Sequence, residues 1–238
     1  MPNLDSCRAI AGVVIPAYHA EKTIEPLVRE ASARVQSVIV VDDGSADETA
    51  PRAEAAGAVV LRHARNQGKG AALQTGFSHI LASPLRVAIT MDADGQHAPE
   101  EIDRFLEAYQ RTGIPVLLGN RMAHNEQMPS VRRWTNRLMS RLISREMHHY
   151  VPDTQCGFRL FHRQVLPFLR TESDRFAAET EMLLHLADRG FRIDFVRVAT
   201  VYRPELKSHI RPVRDTYQFI LMLRHYRRAR ARLAQLDF

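Results

Sequence analysis

The chain has 238 residues, 45% of them hydrophobic and 25% charged, with only two cysteines, Cys7 and Cys156. That length buries a full core without staples, and the sparse cysteines exclude a disulfide-framed scaffold and point to a reducing cytosol. The net charge of +6 sits wholly at the carboxyl end: residues Thr200 to Phe238 hold nine Lys/Arg against three Asp/Glu, while the remainder holds 24 against 24. Such a tail suits anionic lipid head groups, nucleic acid or an acidic partner, but its thin aromatic interleaving argues against nucleic acid. Asp5 and Arg8 interrupt any amino-terminal leader, and no run approaches the roughly 20 apolar residues of a bilayer span, so a cytoplasmic, non-transmembrane protein is expected.

In chain order, Ala11 to Ile15 reads as a buried strand, Glu21 to Arg34 as a helix and Ser37 to Val41 as a second buried strand ending in Asp42-Asp43-Gly-Ser45. A helix over Asp47 to Ala56, a short strand over Ala58 to Leu61 and a helix over Lys69 to Leu81 follow. The strand Arg86 to Met91 runs into Asp92-Ala-Asp-Gly-Gln-His97. Beyond Pro99 come a helix to about Arg111, the strand Val116 to Leu118 and a polar loop around Gly119 to Pro129. The second half gives a helix near Val131 to Arg145, the loop Asp153 to Arg159, a helix over Glu179 to Arg189 and the strand Arg192 to Val198. An amphipathic, arginine-rich helix closes the chain over Val213 to Leu233, with Val213, Tyr217, Ile220 and Leu223 on its apolar side. Trp134, Leu138 and Leu142 have the spacing of a buried helix face and are expected in the core.

Apolar strands alternating with helices predict an α/β domain with a mainly parallel sheet covered on both faces. Ligands of such sheets gather outside the carboxyl ends of the strands. Four polar clusters fall there: Pro16-Ala17-Tyr18, Asp42-Asp43, Asn66 to Gly70 and Asp92 to Gln96.

Asp92, Asp94 and Gln96 alternate, so an extended backbone would aim all three to one side as hard oxygen ligands for Mg²⁺ or Mn²⁺; an Asp-rich turn capping the next helix is the alternative. The turn after Asp42 and Asp43 would leave one of the two carboxylates free to bond a base or ribose; plain helix capping by Ser45 or Asp47 is the alternative. Lys69 and the amides of its glycine turn suit a diphosphate, as they also suit plain solvation. Gly68-x-Gly70 with Asp92 about 20 residues on mimics a dinucleotide fingerprint, but Leu73 replaces its third glycine. Arg121, Arg132, Arg133 and Arg137 are candidate phosphate cations, and His97 is either a metal ligand or a local hydrogen-bond partner. Glu179 and Glu181 point to different helix faces, so at most one serves a reaction centre, and Asp153 is either a base or a buried hydrogen-bonding acid.

Taken in order, VIPAY, VVDDGSADET, RNQGKGAAL, MDADGQH, GNR, DTQCGFRLF, AAETEML and ELKSHIRPVRD resemble the inverting family 2 glycosyltransferases of GT-A fold, nearest the dolichyl- or polyprenyl-phosphate sugar synthases. The resemblance spans residues 10 to 215 and implies a GT-A domain over 1–212 with a basic helix over 213–238. It places Pro16, Ala17, Tyr18, Asp43, Lys69 and Ala93 around the nucleotide, and Asp92, Asp94 and Gln96 on a divalent metal at the donor diphosphate. Arg121, Arg132 and Lys207 match cations near donor or acceptor phosphates, and Glu205 to Pro212 matches a loop that closes over the site. A lipid-phosphate acceptor needs no strong base, whereas a hydroxyl acceptor would need one, from Asp153 or Glu179.

Two departures stand out. His19-Ala20 stands where the family usually carries Asn-Glu, and the basic carboxyl-terminal residues are not expected to form the hydrophobic extension of many lipid-phosphate glycosyltransferases. The basic helix is then expected to meet the inner face of the membrane, with a homodimer contact as its alternative. A hydroxyl on another lipid or glycan as acceptor, a nucleotide-sugar-binding scaffold without turnover, and a dinucleotide oxidoreductase are the competing functions.

Overall fold

A computed structural model describes residues 4–122, 130–169, 175–199 and 212–234. After a short helix α1 (Leu4–Arg8), strands and helices alternate: β1 (Ala11–Ala17), α2 (Ile24–Ser32), β2 (Ser37–Asp42), α3 (Thr49–Ala55), β3 (Val59–Arg62), α4 (Lys69–Ala82), β4 (Val87–Thr90), α5 (Glu101–Thr112) and β5 (Val116–Asn120). Then come α6 (Ser130–Glu146), β6 (Arg159–His162) running into a 3-10 turn (Arg163–Phe168), α7 (Arg175–Asp188), β7 (Ile193–Arg197) and α8 (Pro212–Ala234).

The seven strands form one sheet in the order β3-β2-β1-β4-β6-β5-β7. All pairings are parallel except those of β6, which is antiparallel to both β4 and β5. The parallel sheet expected from the sequence is therefore present, together with one reversed strand that begins where the expected loop ends, at Arg159. β6 opens with Arg159 and is only four residues long, so it gives little apolar signal.

Side-chain alternation explains why the strands are almost wholly apolar. In β1, Val13 and Ile15 enter one buried cluster with α2 and α5, while Val14 enters the opposite cluster with α4 and α7. Val38 and Val40 of β2 divide from Ile39 and Val41 in the same way, and each buried Val or Ile contributes about 1.5–3 kcal/mol. α4 lies close on β1 because Gly76 faces Val14 with no Cβ between them.

A third cluster joins α6, α7 and α8 through Met139, Ile143, Leu184, Phe219, Met222, Leu223 and Tyr226. It corrects two expectations. On α6, Trp134 is 67% exposed, Leu138 is exposed and Leu142 only half-buried, because Asn136, Met139, Ser140 and Ile143 take the inward face. On α8 the buried stripe is Phe219, Met222, Leu223 and Tyr226, leaving Tyr217 and Ile220 exposed. The basic side of α8, with Arg224, Arg227, Arg228 and Arg230, faces solvent, and Arg227 pairs with Glu146 of α6. α7 also begins at Arg175, a turn earlier than expected, so Glu179 lies inside the helix rather than in its first turn. Among the described residues no helix is long and apolar enough to cross a membrane.

The approach of α4 to β1 is testable. Gly76→Ala drives a methyl into Val14, and the overpacking outweighs the gain in helix propensity, for a net loss of about 1–2 kcal/mol in urea unfolding. Val14→Ala in the same chain should recover part of that loss.

Candidate active site at the strand ends

Because β1, β2 and β4 run parallel and in register, Ala17, Asp42 and the residues following Thr90 emerge at one edge. Ala17 is buried, Pro16 half-buried and Tyr18 half exposed at the rim. His19 takes a φ of +52°, the left-handed conformation that asparagine tolerates better than most residues, and its amide bonds the Ser45 hydroxyl.

Asp42 accepts from the Ser45 amide and pairs with Arg62. Asp43 is also buried, and its carboxylate is heavily engaged. Oδ1 accepts from the Gln67 amide at 2.9 Å, Oδ2 from the Gly68 amide at 2.7 Å, and His63 Nδ1 lies 2.7 Å from Oδ1. His63 Nε2 in turn meets Thr75 of α4 at 2.9 Å. Asp43 thus anchors the glycine turn, where Gly68 has a φ of +91° and α4 begins.

That turn delivers Lys69 to the acidic segment. Lys69 Nζ donates to Asp92 Oδ1 at 2.5 Å and to Glu179 Oε2 at 3.1 Å, joining α4, the end of β4 and α7. Burial alone would lower the lysine pKa, but the Asp92 and Glu179 carboxylates outweigh it and raise it, so the ammonium stays charged. The Asp92 carboxyl would be raised by burial, yet Lys69 and His97 hold it well below the usual range. His97 Nε2 stands 3.2 Å from Asp92 Oδ2, so His97 is a local partner of that carboxylate.

The segment after β4 is a turn, not the extended stretch expected. Gly95 has a φ of +71° and Asp94 Oδ1 accepts from the Gln96 amide, so the backbone folds back on itself. Asp94 is raised by burial and by the Asp92 charge beside it. Among the described residues no three His, Cys, Asp or Glu side chains form a preformed metal cage. Asp92 and Asp94 nonetheless offer crowded hard oxygens, and Gln96 lies half-buried in the same turn. The Asp92 carboxylate is pressed on the opposite side by the loop before β6, where a Cβ on Gly157 would come within 2.6 Å of it.

Asp153 and Arg121 form a buried pair, 1% and 6% exposed. Arg121 grips the carboxylate through Nε at 2.8 Å and a terminal nitrogen at 3.0 Å. The Asn136 side chain and the amides of Arg121 and Gln155 also donate to it. Burial would raise the Asp153 carboxyl, but Arg121 and Asn136 dominate and lower it to about 2. Arg159, also buried, donates to the carbonyls of Cys156, Thr154 and Glu179 and so ties this loop to α7. Burial pushes the Cys156 thiol up to about 12, leaving it an inert filler beneath Gly119.

The structure therefore brings Pro16, Ala17, Tyr18, Asp43, Lys69, Asp92, Ala93, Asp94, Gln96 and Glu179 to one region, and gives Arg121 and Asp153 to each other. Glu181 turns to His185 instead. Arg132 lies on α6, but its side chain, like all of Lys207 and the segment 205–211, falls outside the described residues. His63, Thr75, Asn136 and Arg159 were not singled out from the sequence. Only the position of His63 just past a strand end offered a signal.

Comparison with known proteins follows the same pattern. Residues 12–169 match the family model described as glycosyl transferase family 2. The UDP-N-acetylglucosamine–dolichyl-phosphate N-acetylglucosaminyltransferase of Methanococcus voltae is 26% identical over 80% of this chain and 85% of its own length. An undecaprenyl-phosphate 4-deoxy-4-formamido-L-arabinose transferase of Pseudomonas fluorescens is 32% identical over 74% of this chain and 57% of its own. Glucosyl-3-phosphoglycerate synthase from Mycobacterium tuberculosis, solved with Mn²⁺, UDP and phosphoglyceric acid, superposes with a TM-score of 0.71 at 21% identity, covering 93% of this chain and 81% of that one. The shared fold is GT-A.

The buried pair sets a pH dependence. With its carboxyl held near 2 in the fold and at an ordinary value when unfolded, Asp153 contributes about 2 kcal/mol above pH 4, lost as pH falls toward 2. Asp153→Asn, which strands Arg121, should cost about 3–5 kcal/mol at pH 7 in urea unfolding, with the gap to the parent narrowing below pH 4.

Proposed function

The chain belongs to glycosyl transferase family 2, and from that premise we propose that it moves a sugar, with inversion, from a nucleoside-diphosphate sugar to a polyprenyl-phosphate-like lipid at the cytoplasmic face of a membrane. That it is a glycosyltransferase follows from the membership itself. The finer reading is carried by one observation: neither candidate base stands free. Asp153 has both oxygens taken by Arg121 and its neighbours, and Glu179, 2% exposed, is held against the Lys69 ammonium. A hydroxyl acceptor needs a group to take its proton as the new bond forms, whereas a phosphate oxygen is already anionic. The relatives named for dolichyl and undecaprenyl phosphates support the same acceptor class.

On the donor side, Pro16, Ala17, Tyr18 and Ala93 border the nucleotide, with the half-exposed Tyr18 ring offering a stacking surface. Asp43 acts by fixing the glycine turn, whose amides and Lys69 meet the diphosphate. By the family resemblance Arg132 and Lys207 would supply positive charge for the phosphates, whereas the Arg121 guanidinium is held by Asp153. The crowded Asp92 and Asp94 oxygens fit Mg²⁺ or Mn²⁺, with Gln96 alongside, since a divalent cation relieves the repulsion that raises Asp94. Held by these residues, such an ion would supply positive charge for the departing diphosphate. Mn²⁺ accompanies UDP in the mycobacterial synthase of the same fold.

Titration calorimetry of UDP and GDP, each with and without Mn²⁺, tests the donor half. One nucleotide should bind in a metal-dependent way, and Asp94→Ala should weaken it by about 100-fold, since even groups behind a metal ligand contribute roughly 10- to 100-fold. Binding of neither nucleotide would overturn the donor site. Glu179→Gln, which keeps an oxygen for Lys69, tests the acceptor half. Transfer to a polyprenyl phosphate should stay within about tenfold of the parent, while a loss of about 100-fold or more would favour a hydroxyl acceptor served by Glu179.

A further inference from the structure

Trp134 is the chain's only tryptophan, and it stands in solvent on α6. The inner side of that helix is set by Asn136, which donates to Asp153, by Ser140, which meets Thr154, and by buried Met139 and Ile143. At 3.6 residues per turn, Trp134, Leu138, Arg141 and Arg145 fall on the opposite side, with Arg137 at their flank, and all five are exposed. From Ser130 to Arg145 the helix carries no acidic residue, and its closing Glu146 is paired with Arg227. An aromatic and a leucine bare to water, framed by arginines, match the amphipathic chemistry of a helix lying in a lipid interface.

We propose that the outer face of α6 docks on an anionic phospholipid bilayer, with Trp134 and Leu138 at the interface and Arg137, Arg141 and Arg145 on the head-group phosphates. This deepens the reading of a lipid acceptor and rests on it. It differs from a contact through α8, whose Phe219, Met222, Leu223 and Tyr226 are packed on α6 and α7 while Tyr217 and Ile220 stay exposed. The arrangement has a mechanical logic. The side of α6 that faces the protein holds Asn136 against Asp153, so the membrane surface and the support of Arg121 lie on opposite faces of one helix, about 10 Å apart. A lipid phosphate at head-group depth is then presented beside the strand ends.

Since Trp134 is alone, its emission reads the contact directly. The full chain is mixed with vesicles of phosphatidylcholine, with or without phosphatidylglycerol, in the absence of donor and polyprenyl phosphate. Anionic vesicles should shift the emission to the blue, and brominated acyl chains should quench it. Leu138→Glu and the pair Arg137→Glu with Arg141→Glu, both of which keep Trp134, should weaken vesicle binding by about tenfold or more, whereas Arg224→Glu with Arg228→Glu on α8 should change it by less than about twofold. Emission unchanged by anionic vesicles, a blue shift that grows with protein concentration without lipid, or binding lost only in the α8 variant would each overturn the proposal. A parallel assay with a short, water-soluble isoprenyl phosphate separates the two readings. Transfer retained by Leu138→Glu there assigns its defect to docking, while vesicle binding by a parent chain unable to use that phosphate would refute the acceptor and leave the docking surface in place.

Discussion

A single ammonium group holds the site together. Lys69 bridges Asp92 from the first half of the chain and Glu179 from the second, 110 positions away, so α4, the end of β4 and α7 share one charge balance. Without that cation, the carboxylates at the strand ends would face one another in a partly dehydrated space, a conflict costing several kcal/mol. The neighbouring features serve to place it. Asp43 fixes the turn that launches α4, His63 and Thr75 brace Asp43, and Arg159 ties the loop pressed on Asp92 to the α7 backbone at Glu179.

The same balance accounts for the division of labour among the acids. Asp92 is compensated by Lys69 and His97 and remains ionised, whereas Asp94, two residues on, is raised by burial and by the repulsion of Asp92. Asp153 is neutralised by Arg121. Three carboxylates that look interchangeable in sequence thus have three environments, and only Asp94 has an electrostatic conflict that an incoming cation would resolve.

Much of this was legible from the order of residues, and the limits follow from range. Ala11 to Ile15, Ser37 to Val41 and Arg86 to Met91 declared themselves because strands covered on both faces must be apolar throughout, and the polar residues after them had to gather at one edge. The failures arose where a partner lies far along the chain. β6 is a strand only because β4 and β5 flank it. Trp134 and Leu138 have core-like spacing, yet the inner face of α6 was claimed by Asn136 and Ser140 for a polar contact with the loop at Asp153 and Thr154. At Asp92 to Gln96 the sequence allows both an extended stretch and an Asp-rich turn, because a glycine's positive φ leaves no mark on the alternation of its neighbours. Sequence alone leaves Asp153 as base or buried anchor, since its partner Arg121 lies 32 positions away.

The reversed strand has a consequence for how the molecule is made. β5 is translated before either of its sheet neighbours, since β6 lies some 40 residues further on and β7 later still. A ribosome that has released the first half has therefore delivered β3, β2, β1 and β4 as a sheet whose β4 edge is open, with β5 waiting unpaired beside it. Open edges of this kind invite pairing with other chains. Closure comes only when Arg159 to His162 slides between them, and the same insertion carries the Gly157 loop onto Asp92. That step joins β4 to β5 and covers the Asp92 side of the site, while Glu179 on α7 and the pairing of β7 with β5 come later still, so nascent chains lack the assembled site for as long as they lack a finished fold.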